Sequence, residues 1–210
     1  MKASIIIPAY NEEKNISPVL EAVKSLQDVY EILVVNDGSI DNTSEVVRSY
    51  GIRVLDMPEN CGKSSAMRSG LEATSEQVVL FLDADLIGLE PRHVDDLIFP
   101  VSAGIADMTV GVFTSGRGIT DLAQRLTPFL SGQRGLRRDI LNELTNEDWI
   151  SGFGIEVALT RYAKEHNLRT LEVPLHNVSQ TMKEEKLGLA KGMKARLKMY
   201  WEIAKEISRV

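Results

Sequence analysis

Val78-Val79-Leu80-Phe81-Leu82-Asp83-Ala84-Asp85 is the stretch that decides the fold. Five apolar residues in a row, two of them β-branched, read as a strand buried on both faces, as in a parallel sheet covered by helices. Two carboxylates one residue apart follow at its C-terminal end. In open α/β sheets, ligands sit in the crevice beyond the strand C-termini. Two aspartates there repel each other unless a cation or a cluster of donors neutralises them. A hard divalent ion bridging them to a diphosphate is the economical solution. The plain alternative is that Asp83 caps the next segment and Asp85 is solvated.

Working outward, the same rhythm recurs upstream. Ala3–Ile7 is a short apolar strand stopped by Pro8, and a helix is expected around Ser17–Leu26 with Val19, Leu20, Val23 and Leu26 on one face. Tyr30–Val35 is a second strand ending in Asn36-Asp37-Gly38-Ser39; Asp41-Asn42-Thr43 offers N-cap oxygens to a helix that Gly51 closes. Ile52–Met57 is a third strand, and a helix from Lys63 to Ala73 precedes the Val78 strand. Strands alternating with helices in this way describe an α/β fold with a mostly parallel sheet and right-handed crossovers. Polar clusters at Tyr10–Glu13, Asn36–Ser39 and Asp83–Asp85 then project from one sheet edge, which is an active-site layout.

Downstream, Pro91–Ser102 reads as a helix and Met108–Phe113 as a strand. A Gly/Arg-rich stretch runs from Ser115 to Arg138, with Ser131-Gly132-Gln133-Arg134-Gly135 expected as a mobile loop. Trp149–Gly154 leads into a helix to Asn167, Leu171–Leu175 is a last strand, and Gly188–Arg209 is a long helix. The whole, residues 1–210, reads as one domain: a ligand-binding half (1–110), a second, catalytic half (111–182) and a C-terminal helix (183–210).

The net charge of −6 argues against a nucleic-acid partner. From Lys183 to Val210 eight basic residues face four glutamates, so this tail is +4 and the rest of the chain −10. Its apolar residues, among them Leu187, Met193, Tyr200 and Trp201, recur at helix spacing. Such a basic amphipathic helix packs on the sheet or on a second subunit, as in a homodimer, or else lies on an anionic membrane; the first is preferred. Cys61, the only cysteine, rules out an intrachain disulfide. The N-terminus lacks a signal peptide's apolar region, no window spans a membrane, and a cytoplasmic location is expected. His93 and His166 are expected at the surface.

Spacing dismisses several motifs. A P-loop needs a glycine five residues before Gly62, where Met57 stands. Asp37–Asp41 lacks the glycine and glutamate of a calcium loop. Neither G-x-G-x-x-G nor G-x-S-x-G occurs, against a dinucleotide fold and an α/β-hydrolase.

What remains is a set of short polar loops around a candidate metal site. Pro8-Ala9-Tyr10-Asn11-Glu12-Glu13, Val35-Asn36-Asp37-Gly38-Ser39, Asn60-Cys61-Gly62-Lys63 and Asp83-Ala84-Asp85, in this order, resemble family 2 glycosyltransferases of the GT-A fold. The resemblance implies a nucleotide-diphosphate sugar (a UDP- or GDP-sugar) as donor. It implies donor contacts by Pro8, Ala9, Tyr10, Asn11 and Glu12, a base contact by Asp37, and Lys63 near the phosphates. One of Glu12 and Glu13 is a first-turn helix glutamate favoured by the dipole. Asp85, with Asp83 close by, would hold Mg²⁺ or Mn²⁺ on the diphosphate. In the second half, Gly116-Arg117-Gly118-Ile119-Thr120 and Gly152-Phe153-Gly154-Ile155-Glu156 are similar to the glucosyl-3-phosphoglycerate synthase group. That similarity implies a small phosphorylated acceptor such as 3-phosphoglycerate, met by Gly116, Arg117 and Thr120, with Arg134 in the flanking loop. It implies His176 as third metal ligand and Glu156 beside the donor sugar.

Two departures stand out. The chain lacks that group's terminal additions, and Pro174, Asn177 and Ser179 replace the arginines flanking its histidine. Asn146-Glu147-Asp148 resembles the acidic motif of inverting members, so Asp148 as base would mean inversion and Glu156 as the key group retention, which is favoured. A polyprenyl-phosphate sugar transferase and a non-catalytic nucleotide-sugar-binding protein are the competing readings. A nucleotidyltransferase would carry a Gly-rich, Arg-containing loop where Pro8–Glu13 stands.

Overall fold

The computed structural model describes residues 2–114, 131–150 and 154–180. Seven strands form the main sheet: β1 (Ala3–Ala9), β2 (Glu31–Asn36), β3 (Arg53–Asp56), β4 (Val78–Phe81), β6 (Met108–Phe113), β7 (Arg134–Arg137) and β8 (Thr170–Leu175). Their order is β3-β2-β1-β4-β7-β6-β8, and β7 alone runs antiparallel to its neighbours. A second sheet pairs two-residue strands, β5 (Leu86–Ile87) with β9 (Ser179–Gln180). Helices α1 (Ser17–Lys24), α2 (Thr43–Ser49), α3 (Lys63–Glu72) and α4 (Pro91–Ser102) lie in the first half. Short helices α5 (Arg138–Glu143) and α6 (Asn146–Ile150) precede α7 (Ile155–Glu165).

The period-2 geometry of β1 divides the core. Ile5 and Ile7 face one side, with α1 residues Val19, Leu20 and Val23 and α4 residues Val94, Leu97 and Ile98. Ile6 faces the other, with Met67 and Leu71 of α3, Ile140 of α5 and Leu159 of α7. Burial on both faces is why β1, β2 and β4 are unbroken apolar runs. β1 continues through Pro8 to Ala9 because β4 stops pairing at Ile6 opposite Phe81, so the missing amide hydrogen lies past the end of that ladder.

Helix α3 rests so close to the sheet that a Cβ on Gly70 would lie 2.4 Å from Ile6 Cγ2 and 3.0 Å from Val35 Cγ2. Gly70→Ala gains about 1 kcal/mol of helix propensity, yet overpacking a core costs about 1–3 kcal/mol. We expect net destabilisation, read as a lower urea midpoint with unchanged slope. A higher midpoint would mean that α3 can lift off the sheet.

Candidate active site

The C-terminal ends of the parallel strands and the N-terminal end of β7 share one edge, since Phe81 pairs with Arg134. The loop after β1 is stitched to the loop after β2. The amide of Asn11 donates to Ser39 Oγ (2.9 Å), that of Glu12 to Thr43 Oγ1 (2.9 Å) and that of Glu13 to Asp41 Oδ2 (3.1 Å). Asn11 Oδ1 accepts the Ile40 amide at 2.9 Å, with Asn11 itself at φ 54°. Glu13 accepts from Asn42 and belongs to this stitching; since the first helix begins at Ser17, neither Glu12 nor Glu13 is a first-turn helix glutamate. Pro8 and Ala9 form the buried end of β1, while Tyr10 stands exposed beside them. Asp37, for which a base contact is implied, is buried and holds the backbone. Its two oxygens accept the amides of Cys61 (2.8 Å) and Gly62 (2.9 Å), fixing the turn that starts α3.

At the first residue of that helix, the Lys63 ammonium bridges two carboxylates, Asp83 Oδ1 at 2.6 Å and Glu156 Oε1 at 2.5 Å. Both acids are mostly buried, their side chains 14% exposed. Burial pushes the Asp83 carboxyl up, but Lys63 and the amides of Gln133 and Gln180 outweigh it and hold it below the usual carboxylate range. Burial pulls Lys63 down, and the two carboxylates more than reverse this, so the lysine is firmly cationic. Gly132 packs against this ion pair: a Cβ there would stand 2.5 Å from Asp83 Oδ1 and 2.7 Å from Lys63 Nζ. Gln133, fully buried, donates from Nε2 to Asp83 Oδ2 (2.8 Å) and accepts the Ser131 hydroxyl at Oε1 (2.9 Å). Asp83, Lys63 and Glu156, far apart in sequence, thus form one polarised cluster, with Asp85 two residues beyond Asp83.

Other expected site residues are placed differently. The Ser131–Gly135 segment is not a mobile acceptor loop; it enters β7 at the centre of the sheet. Arg134 is 1% exposed, its guanidinium donating to Ser131 O and Thr160 Oγ1. Burial lowers its pKa to about 10, with Glu156 opposing the shift. Thr160 Oγ1 in turn donates to Glu156 O, so Arg134 braces the helix that carries Glu156 instead of meeting an acceptor. Asp148 is a helix-capping residue: it accepts the amide (2.9 Å) and hydroxyl (2.7 Å) of Thr145, and it pairs with Arg161 at 2.8 Å. Burial raises its carboxyl, and these partners outweigh that and lower it, which makes it a weaker base.

His176 Nδ1 lies 2.9 Å from Thr114 Oγ1. Among the described residues no three His, Cys, Asp or Glu side chains gather to hold a metal ion. His93 is buried, not at the surface, because its Nδ1 accepts the Glu90 amide in a helix cap. Gly116, Arg117, Thr120 and the 183–210 tail lie outside the described residues. Gln133 and Gln180, which both touch Asp83, were missed; a neutral amide in a glycine-rich stretch or a two-residue strand gives no periodic or motif signal.

The sequence model described as Glycosyl transferase family 2 matches residues 4–161. Glucosyl-3-phosphoglycerate synthase of Mycobacterium tuberculosis is 31% identical over 194 residues, covering 74% of this chain and 59% of the relative. The chain thus spans about three fifths of the length of that curated relative. A crystal structure of the synthase with Mn²⁺, UDP and glucosyl-3-phosphoglycerate is 27% identical, with a TM-score of 0.73, covering 86% of this chain and 72% of that one. A dolichyl-phosphate beta-glucosyltransferase of Trichomonas vaginalis is 38% identical over 96 residues, which is 39% of this chain and 28% of the relative.

Proposed function

The chain belongs to glycosyltransferase family 2, and from that premise we propose that it moves a hexosyl group from UDP-glucose or a related nucleotide sugar to a small phosphorylated acceptor. The observation that carries the reading is the Asp83–Lys63–Glu156 cluster beside Asp85 at the strand-end crevice. In such a transfer the bond from the anomeric carbon to the diphosphate breaks, a bond to the acceptor oxygen forms, and the acceptor hydroxyl's proton passes to the departing phosphate oxygen. Negative charge grows on the leaving diphosphate. Lys63, fixed at the start of α3, meets that charge as a positioned cation, which helps most where donors are preorganised. Glu156 faces the sugar from the first turn of α7. Asp148 is spent on a helix cap and on Arg161, which supports retention through Glu156 over inversion through Asp148.

A bound Mg²⁺ or Mn²⁺ supplies further neutralisation of the diphosphate. The donor set suits a hard ion held by one or two carboxylates plus substrate phosphates: Asp85 and Asp83 present carboxylate oxygens, with the Gln180 amide against them. The acceptor phosphate falls to Gly116, Arg117 and Thr120 on the resemblance alone. The dolichyl-phosphate relative favours a lipid phosphate instead, but it matches far less of the chain than the synthase does. Among the described residues no helix is long and apolar enough to cross a membrane.

The test is calorimetric binding of UDP and GDP with Mg²⁺, Mn²⁺ or EDTA, followed by transfer from radiolabelled UDP-glucose to 3-phosphoglycerate, glycerol 3-phosphate or a polyprenyl phosphate. Metal-dependent UDP binding with product on a small phosphorylated acceptor is expected. Product on the polyprenyl phosphate alone would favour the lipid reading. Nucleotide binding without turnover on any acceptor, with no loss on Glu156→Gln, would make the chain a binding protein. No nucleotide binding under any metal condition would overturn the donor assignment.

A further inference from the structure

Arg134 is the largest fully buried side chain among the described residues, and it carries a charge. A buried cation is a costly way to fill a core, where an apolar group of similar volume is often as stable or more so. What arginine adds is a rigid fork of donors. Here the fork joins two parts of the chain that both end at the Asp83–Lys63–Glu156 cluster.

The Nε prong donates to the Ser131 carbonyl at 2.9 Å. Ser131 opens the segment whose Gly132 packs on Asp83 and Lys63 and whose Gln133 donates to Asp83. The Nη2 prong donates to Thr160 Oγ1 at 3.0 Å, and that hydroxyl donates to the Glu156 carbonyl at 2.9 Å. Thr160 sits one turn beyond Glu156 on α7, so this link fixes the turn that presents the Glu156 carboxylate to Lys63. The Glu156 charge also reaches Arg134, where it opposes the effect of burial.

We infer that Arg134 is a positioning residue for sugar transfer, holding the Glu156 and Asp83 arms of the cluster at their common contact with Lys63. The inference deepens the proposed function and rests on it. Arg134, buried in the core, acts through Thr160 and Ser131 and meets no substrate. The donor loops after β1 and β2 are tied to each other by their own hydrogen bonds. Loosening the fork therefore displaces Glu156 without opening the nucleotide contacts. Misplacing a reacting group by about 1 Å costs about 100-fold in rate. The fork thus bears on turnover more than on donor affinity.

Thr160→Val, Thr160→Ser, Arg134→Lys and Arg134→Met, made in the full chain, test the assignment. kcat and KM for UDP-glucose are measured with the acceptor that wild type uses, with urea midpoints alongside. The Lys63–Glu156 contact is read in crystals grown without ligand. Thr160→Val keeps the shape and removes the hydroxyl; it should lower kcat about 10- to 100-fold with KM within about threefold of wild type. Thr160→Ser restores the hydroxyl and should stay within about twofold of wild type. Arg134→Lys keeps the charge without the fork and should fall with Thr160→Val. Arg134→Met loses both and should fall furthest, with Glu156 drawn off Lys63 in the crystal.

A kcat of Thr160→Val within about threefold of wild type, a loss that Thr160→Ser shares, or parallel changes in kcat and KM would overturn the assignment. So would an unmoved Lys63–Glu156 contact in Thr160→Val. Where Arg134→Met fails to fold, the two Thr160 variants carry the decision. A wild-type chain that transfers sugar to no acceptor counts against the proposed function, and the Lys63–Glu156 contact in the variants still decides the role of Arg134.

Discussion

Lys63→Ala is expected to lower the turnover of sugar transfer by about 100- to 1,000-fold, the range seen when one preorganised charge-stabilising donor is removed. The ammonium does two things that alanine cannot. It holds Asp83 and Glu156 at 2.6 and 2.5 Å, so that two mostly buried carboxylates share one counter-charge. On the proposed function it also meets the diphosphate as it leaves. With the lysine gone, two carboxylate oxygens that both touched one ammonium, hence lie within about 5 Å, repel by at least about 3 kcal/mol at an effective dielectric near 20. They separate or one takes a proton, and Glu156 no longer keeps its place.

Lys63→Arg restores the charge but brings a planar, wider head group against Gly132, where a single added carbon would already stand 2.7 Å from Nζ. Arginine should therefore recover little of the loss. Single-turnover rates and UDP affinity measured on both variants separate the roles. A low rate with near-normal UDP affinity marks loss of transition-state stabilisation, whereas parallel losses mark donor binding. Turnover within about fivefold of wild type in Lys63→Ala would remove the cluster from the mechanism.

The sequence made the donor half legible because its signals are local. β1, β2 and β4 are apolar runs buried on both sides, and the polar loops at their ends fall on one edge by topology alone. β7 is legible only in context. Arg134-Gly135-Leu136-Arg137 has a glycine and two charges in four residues, and it is a strand because β4 and β6 pair with it on both sides. The buried charge of Arg134 is held by the nearby Ser131 carbonyl and by Thr160, which no window around residue 134 contains.

Asp148 is a different kind of miss. Thr145-x-x-Asp148 is itself a capping-box signature, a local pattern that competes with the resemblance to an acidic catalytic motif. His93 sits among Arg92, Asp95 and Asp96, yet a cap bond three residues back turns its ring inward. Gln180 could not have been found, because a two-residue strand pairing carries no periodicity, and an amide facing two carboxylates is a fact of tertiary structure.

Asp85→Ala should have the largest effect of all, a loss of about 1,000-fold or more in kcat/KM, together with the metal-dependent part of UDP binding. The argument turns on how the two aspartates divide the work. Asp83 Oδ1 receives Lys63, and Oδ2 receives the amides of both Gln133 and Gln180. A cation on Asp83 competes with three donors already there, Lys63 among them, and loosening Lys63 loosens the cluster. Asp85, reached by Gln180 from the same side, is the carboxylate whose loss removes charge at the cation position without releasing Lys63.

The two aspartates should therefore fail differently. Asp85→Ala and Asp85→Asn should both lose metal dependence while UDP binding in EDTA stays near wild type. Asp83→Asn keeps the shape but halves the counter-charge of Lys63. It should lower turnover and weaken UDP binding alike, with the metal response partly preserved. Calorimetry in Mg²⁺ and in EDTA on the three variants reads this directly. If Asp83→Asn abolished metal-dependent binding and Asp85→Ala left it intact, the roles would be reversed, and Gln133 with Gln180 would be bracing the metal ligand itself.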